Sequence, residues 1–330
     1  MSILVSLFAV IALVVLSIAG ASVLGWQYIL GVVLPYAAMA TFVIGVVYRV
    51  IRWARSPVPF RIPTTCGQQK SLSWIKSSRL DNPHTLAGVI GRMVLEVLFF
   101  RSLFRNTRAE LRSGPRLVYG PDKWLWAGGL AFHWSFLIIF IRHFKYFVEP
   151  VPSWILGLQG LDGFFQVGLP VLLLTDLIIL TALSFLLLRR VFDPKLRYMS
   201  LPADYFALFL LLAIALSGVY VRYFGKIDIS NVKELATGLL SLHPVLPDGV
   251  GTAFYVHLFL VSALLAYFPF SKLMHMGGVF LSPTRNLANT NRRRRHVNPW
   301  DYPVAVHTYD EYEDEFRDRM KDAGMPVERE

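Results

Sequence analysis

Cysteine is almost absent. The 330-residue chain has one, Cys66. A single thiol makes no intrachain disulfide, no tetrathiolate zinc site and no iron–sulfur cluster. No Cys-x-x-Cys-His run occurs, so no c-type haem is attached. Cys66 reads as a plain loop residue. Charge is scarce as well: 17% of residues, against about a quarter in soluble domains. The sequence also lacks internal repeats, Gly-rich phosphate loops and nucleophile–base motifs. Together these absences exclude a disulfide scaffold, a disordered chain and almost any ordinary soluble enzyme.

What is present is apolar. Hydrophobic residues make up 55% of the chain, and the mean hydropathy is +0.48. A membrane-crossing helix needs about 20 mostly apolar residues. Six segments qualify: about 3–24, 29–51, 124–147, 164–188, 204–224 and 252–275. The first lacks a basic leader, and its apolar run is longer than a signal core, so it reads as a true span. The expected fold is all-α, a polytopic transmembrane helix bundle of about six spans.

The net charge of +11 has a membrane explanation rather than a nucleic-acid one. Between Arg52 and Lys123 there are 13 Lys/Arg against 4 Asp/Glu. The loop with Arg189, Arg190, Lys195 and Arg197 is basic, as is the run Arg292 to Arg295. With six spans all three regions fall on one side. The positive-inside rule makes that side, and both termini, cytoplasmic.

Four divisions follow. Residues 1–51 carry two spans and 52–123 form a basic cytoplasmic or interfacial loop. Residues 124–280 hold four more spans, and 281–330 form a cytoplasmic tail. Within the loop, Arg101, Arg105, Arg108 and Arg112 recur at steps of four, three and four. They are expected on one face of an amphipathic helix, lying in the headgroup layer or against a partner. The tail from Asp301 has 10 acidic and 4 basic residues and is expected to be extended or weakly helical.

Histidines inside spans are functional hypotheses, because the bilayer makes them costly. His133 and His143 lie in the third span, His257 and His275 in the sixth. Antiparallel spans set His133 level with His275 and His143 level with His257. Two same-level pairs suit two haems b, sandwiched between the third and sixth spans, with four axial imidazoles. An iron ligated twice carries electrons rather than binding a substrate. The spacing is imperfect: about 15 Å separates the first two and about 27 Å the others at helical rise. Ten residue steps also leave an angular offset of about 80°. Pro269 is expected to kink the sixth span. A proton pathway or another metal site is the alternative.

The stretches FHWSFLIIFIRHF (132–144) and HLFLVSALLAYFPFSKLMH (257–275) resemble the haem-bearing helices of the respiratory nitrate reductase gamma subunit, a membrane cytochrome b family. LLLRRVFDPKLR (186–197) is similar to a loop of the same family. The extra N-terminal span and IPTTCGQQKSLSW (62–74) are more similar to the haem b subunit family of the sulfite-reduction-associated Dsr complex. That resemblance implies electron exchange between menaquinone and a cytoplasmic iron–sulfur subunit of the heterodisulfide-reductase type. It also implies further membrane and extracytoplasmic subunits, a role in sulfur metabolism, and a bacterial or archaeal cytoplasmic membrane. A nitrate reductase-type complex, or a conduit with no quinone site of its own, is the alternative.

Candidate quinone neighbours are Arg142, Lys145, Tyr146, Asp162 and Gln166. Snorkelling and aromatic-belt roles explain Arg142, Lys145 and Tyr146 equally well. Lys272, one turn before His275, is a candidate donor to a haem propionate, with Arg49 or Arg52 as others. Asp176 is the one carboxylate deep in a span, either a proton-relay group or paired with a neighbouring helix.

Overall fold

The structure is a computed structural model of the whole chain. It describes residues 2–56, 74, 78–105, 108–114, 116–163, 171–225, 227–289 and 305–329. Cys66, Gln166, His296 and the run Arg292 to Arg295 lie outside the described residues.

The protein is an all-α bundle with one small hairpin among the described residues. Its long helices are α1 (Ser2–Ser22), α2 (Leu34–Ala54, preceded by a π-turn at Ile29–Val33), α5 (Lys123–His143), α7 (Leu174–Phe192), α9 (Pro202–Tyr223) and α11 (Thr252–Tyr267). Between them lie α3 (Leu86–Phe99), α4 (Arg101–Phe104), β1 (Arg108–Arg112), β2 (Arg116–Gly120), α6 (Ser153–Asp162), α8 (Pro194–Met199) and α10 (Ile229–Leu240). After α11 come α12 (His275–Gly278), α13 (Pro283–Asn286) and α14 (Tyr309–Asp322).

Five of the described helical segments are long and apolar enough to cross a membrane: Ser2–Ser22, Ile29–Ala54, Lys123–Tyr146, Pro202–Tyr223 and Thr252–Phe270. The fourth expected span differs. Its helix α7 begins at Leu174 rather than near 164, and carries Asp176, Arg189 and Arg190. Those charges sit at its two ends with the signs that suit a helix dipole. Its 19 residues bury Ile179, Ala182 and Leu183 between α5 and α9.

The interior is thin, as expected where lipid replaces water. Val10, Leu210, Val256 and Leu260 join α1, α9 and α11. Ile179, Leu183 and Leu211 join α7 and α9. Ser6 and Ser17 are fully buried at helix contacts, while Phe8, Val15 and Ile44 point outward. Small residues inside and large apolar ones outside are the arrangement of helices packed in a bilayer.

The packing order is α5 on α7, α7 on α9, and α9 on both α1 and α11, with α2 against α11. Helices α5 and α11 are not among the closely packed pairs. They face each other across a slot whose floor is α7 and α9. Glycine makes two of the contacts possible: a Cβ on Gly128 meets Phe185 at 2.6 Å, and one on Gly45 meets Pro269 at 2.6 Å.

One expectation fails. The segment 92–112 is not one helix. Phe100 adopts the left-handed conformation (φ 50°, ψ 44°) and ends α3. Arg105 is extended, and Arg108 and Arg112 lie in β1, paired antiparallel with β2. The four arginines therefore share no helix face. Arg101 and Arg105 both bind Asp81 instead. In the tail the helical alternative is the one seen: Thr308 and Glu311 form a capping box that starts the 14-residue α14.

The segment after α12 docks back onto α3. Arg285 pairs with the buried Glu96 at 3.0 Å, and the Asn289 amide donates to Asn82. Trp126 and Trp134 of α5 donate to the Phe99 and Leu98 carbonyls, satisfying the C-terminal end of α3.

Candidate functional site: two facing imidazole pairs

The slot between α5 and α11 is lined by four histidines. The ring of His133 lies 5.9 Å from that of His275, edge to face. The ring of His143 lies 6.5 Å from that of His257, nearly parallel at 23°. The sixth span reaches both levels because it is broken. Helix α11 ends at Tyr267, a 3-10 turn covers Phe268–Phe270, and Ser271 is extended. A second 3-10 turn, Lys272–Met274, then delivers His275. Pro269 does more than kink the helix: it ends the α-helical wind, and the height and angle mismatch of a continuous helix disappears.

All four imidazoles are held through Nδ1. His133 donates to the Gly129 carbonyl at 2.8 Å, His143 to Ile139 at 2.7 Å and His275 to Lys272 at 2.8 Å. A carbonyl only accepts, so Nδ1 carries the proton and Nε2 presents its lone pair. His257 Nδ1 lies 2.9 Å from Ser217 Oγ, whose own proton goes to the Ile214 carbonyl. The hydroxyl therefore accepts from His257, and the same tautomer results.

This geometry fits a metal held by two imidazoles. Two metal–nitrogen bonds of about 2 Å each, plus roughly 1 Å from nitrogen to ring centre on each side, separate the centroids by about 6 Å. Both observed separations lie close to that. Among the described residues, no three metal-ligating side chains converge. Gly218 allows the approach of His257, since a Cβ there sits 3.1 Å from Cε1.

The surroundings of the pairs differ. His133 is wedged between the edges of Phe100 and Phe132, at 4.8 and 4.9 Å. His143 stands beside charge. Arg142 is not a snorkelling anchor; it is buried and ion-paired with Asp162 at 2.6 Å and Asp176 at 3.0 Å. Asp176 is thus paired across helices. Lys145 donates to Gln159 at 2.8 Å and lies over the Tyr146 ring, which is 5.9 Å from His143. Lys272 is tied to Asp204 at 2.7 Å with its side chain mostly exposed. Arg49 stacks on Trp53, and its buried Nε has no partner.

Ser217, Gly218, Gln159, Phe100, Thr175 and Tyr223 were not among the sequence candidates. Only the Ser217–Gly218 step had a readable signal, as a small pair inside an apolar span.

A membrane helix bundle clasping two imidazole pairs between two of its rods is a protein of the cytochrome b kind. The sequence profile of the nitrate reductase gamma subunit family matches residues 93–293. The chain is 51% identical over 280 residues to a protein of Archaeoglobus fulgidus named as an Hdr-like menaquinol oxidoreductase cytochrome b-like subunit, covering 83% of each chain. A protein of the same name from Archaeoglobus profundus is 43% identical over 275 residues, covering 81% of each. The chain belongs to the nitrate reductase gamma subunit family.

Proposed function

We propose that this chain is the di-haem b membrane subunit of a multi-subunit complex, carrying electrons between menaquinone and a cytoplasmic iron–sulfur partner of the heterodisulfide-reductase type. The observation that carries this reading is the pair of imidazole couples at metal-bridging separation, each ring with Nδ1 committed to a hydrogen bond, which leaves the lone pair on Nε2. The names of the two Archaeoglobus relatives support the quinone and the partner. The Dsr-type setting in sulfur metabolism, with additional membrane and extracytoplasmic subunits, rests on the same resemblance. A haem b held by two imidazoles would supply one-electron chemistry.

The chain's own residues do the holding. His133 and His275 grip the inner position; His143 and His257 grip the outer one. Arg49, with its partnerless Nε, suits a propionate at the inner end, and Lys272 suits it once released from Asp204. Basic loops on one side support cytoplasmic termini in a bacterial or archaeal cytoplasmic membrane. Residues 124–280 then form the electron-carrying unit, and a cap made of 78–105 and the 279–289 segment docked on it faces the partner. Near the outer position, Lys145, Tyr146 and Gln159 offer a donor, a ring and an amide to a quinone head. Asp162 has both oxygens engaged by Thr175 and Arg142, which removes it from the candidates for direct contact.

The test is haem stoichiometry and the dithionite-reduced spectrum of the purified complex. Two haems b per chain are expected. His143→Ala and His257→Ala should each remove one and spare the other, and a full complement in both variants overturns the reading. Oxidation of the haems by a menaquinone analogue, abolished in Lys145→Ala, separates a resident quinone site from a simple conduit.

A further inference from the structure

The residue before His143 is the centre of a buried ionic group drawn from four elements. Arg142 Nη1 lies 2.6 Å from Asp162 Oδ2 at the end of α6, and Nη2 lies 3.0 Å from Asp176 Oδ1 in the first turn of α7. The three side chains are 7%, 3% and 14% exposed. Every remaining oxygen is engaged. Asp162 accepts from the Thr175 amide at 2.9 Å and hydroxyl at 2.6 Å. Asp176 Oδ2 accepts from the Tyr223 hydroxyl at 2.8 Å, and that hydroxyl accepts from the Leu173 amide. Arg222 Nε completes the set, 3.9 Å from Asp176 Oδ2.

Two guanidiniums and two carboxylates sum to zero. Stability alone is a weak reason for such a group, because apolar replacements of buried ion pairs are often neutral or stabilising. Its position offers a better reason. Arg142 adjoins His143 in α5, and Lys145 lies over the Tyr146 ring, itself 5.9 Å from the His143 imidazole. Charge interactions near a low-dielectric centre are several-fold stronger than in water. A lone cation there favours the reduced, less positive state of an iron centre, and each carboxylate opposes that bias. The His133–His275 position has aromatic edges where this one has ions.

Resting on the haem reading above, we propose that Arg142, Asp162, Asp176 and Arg222 form a neutralising group that sets the potential of the outer haem. Asp176 and Arg222 act in opposite directions. They are positioning and tuning residues: they act through Arg142 and the backbone of His143, and none of them ligates the iron.

The experiment is a redox titration of the α-band in the purified whole complex, resolved into two components. Asp176→Asn should raise the outer component's midpoint by 59 mV or more, a tenfold change in a one-electron equilibrium. Arg222→Gln should lower the same component. Thr175→Val, which removes a hydroxyl but no charge, should move neither. Unmoved midpoints with both haems present overturn the proposal, as do shifts of the same sign in Asp176→Asn and Arg222→Gln. Should Asp176→Asn lose its haem, Arg222→Gln decides alone, since that side chain is 28% exposed and replaceable; no downward shift then overturns it. Wild-type complex lacking two haems would instead defeat the reading under Proposed function.

Discussion

The two imidazole pairs share the same two rods and differ in almost everything around them. The His133–His275 pair is edged by Phe100 and Phe132, and a cap built from 78–105 and 279–289 closes over it. The His143–His257 pair has a buried ionic group, a lysine and a tyrosine at its side. The difference teaches that like imidazole pairs in one slot need not have like surroundings, and under the proposed reading the two centres would differ as carriers. Burial, hydrogen bonds and nearby charge tune the iron once the ligands are fixed.

The largest effect should come from breaking one pair at a time. His275→Ala should remove the haem with aromatic neighbours and leave the other spectrum intact, and His257→Ala the converse. Optical and electron paramagnetic resonance spectra of both variants check this. Loss of both signals in either variant breaks the comparison, because the pairs would then not be independent.

Arg142→Ala should come next. It strands two buried carboxylates, at a cost of about 3–5 kcal/mol. Thermal release of the outer haem should move to markedly lower temperature, while the inner one follows wild type. Gly218→Ala should be milder: the new methyl presses on His257 Cε1 and costs about 1–3 kcal/mol by overpacking. Its signature is an altered low-spin signal from the outer centre alone.

The cap gives a pH test on the inner side. The Arg101 guanidinium, helped by Arg105 and Ser78 against partial burial, holds the Asp81 carboxyl down at about 2. The carboxylate contributes about 2 kcal/mol to the cap. That contribution is complete above about pH 4 and is lost as pH falls through about 2. Protection factors of the α4 amides against hydrogen exchange should hold at pH 5 and fall below pH 4. Asp81→Asn should lower them above pH 4 and converge with wild type in acid. The smallest effect is expected from Phe100→Gly, which eases a left-handed backbone by about 1 kcal/mol but removes the edge against His133. The inner haem should become more accessible to hydrophilic reductants with its ligation unchanged.

The sequence disclosed the parts of the site that depend on depth. Intramembrane histidines stand out against lipid, and rise per residue orders them by height. It hid whatever depends on which elements meet. Asp162 and Asp176 are 20 and 34 residues from Arg142, and no periodicity links them. The arginine steps of four, three and four fit a helix face, yet SGP at 113–115 marks a turn, and RAELR alternates as a strand does. The capping box at Thr308 was readable from residue spacing and outweighs the tail's low hydropathy. Pro269 announced a disturbance but not its size.

That disturbance has a mechanical consequence. In one unbroken rod, any force on the lower end would lever the upper imidazole as well. The extended residue Ser271 uncouples the two, and the Lys272–Asp204 tie secures the short lower piece to α9. A load on the His275 end therefore works a separate jaw, and the far grip keeps its bite.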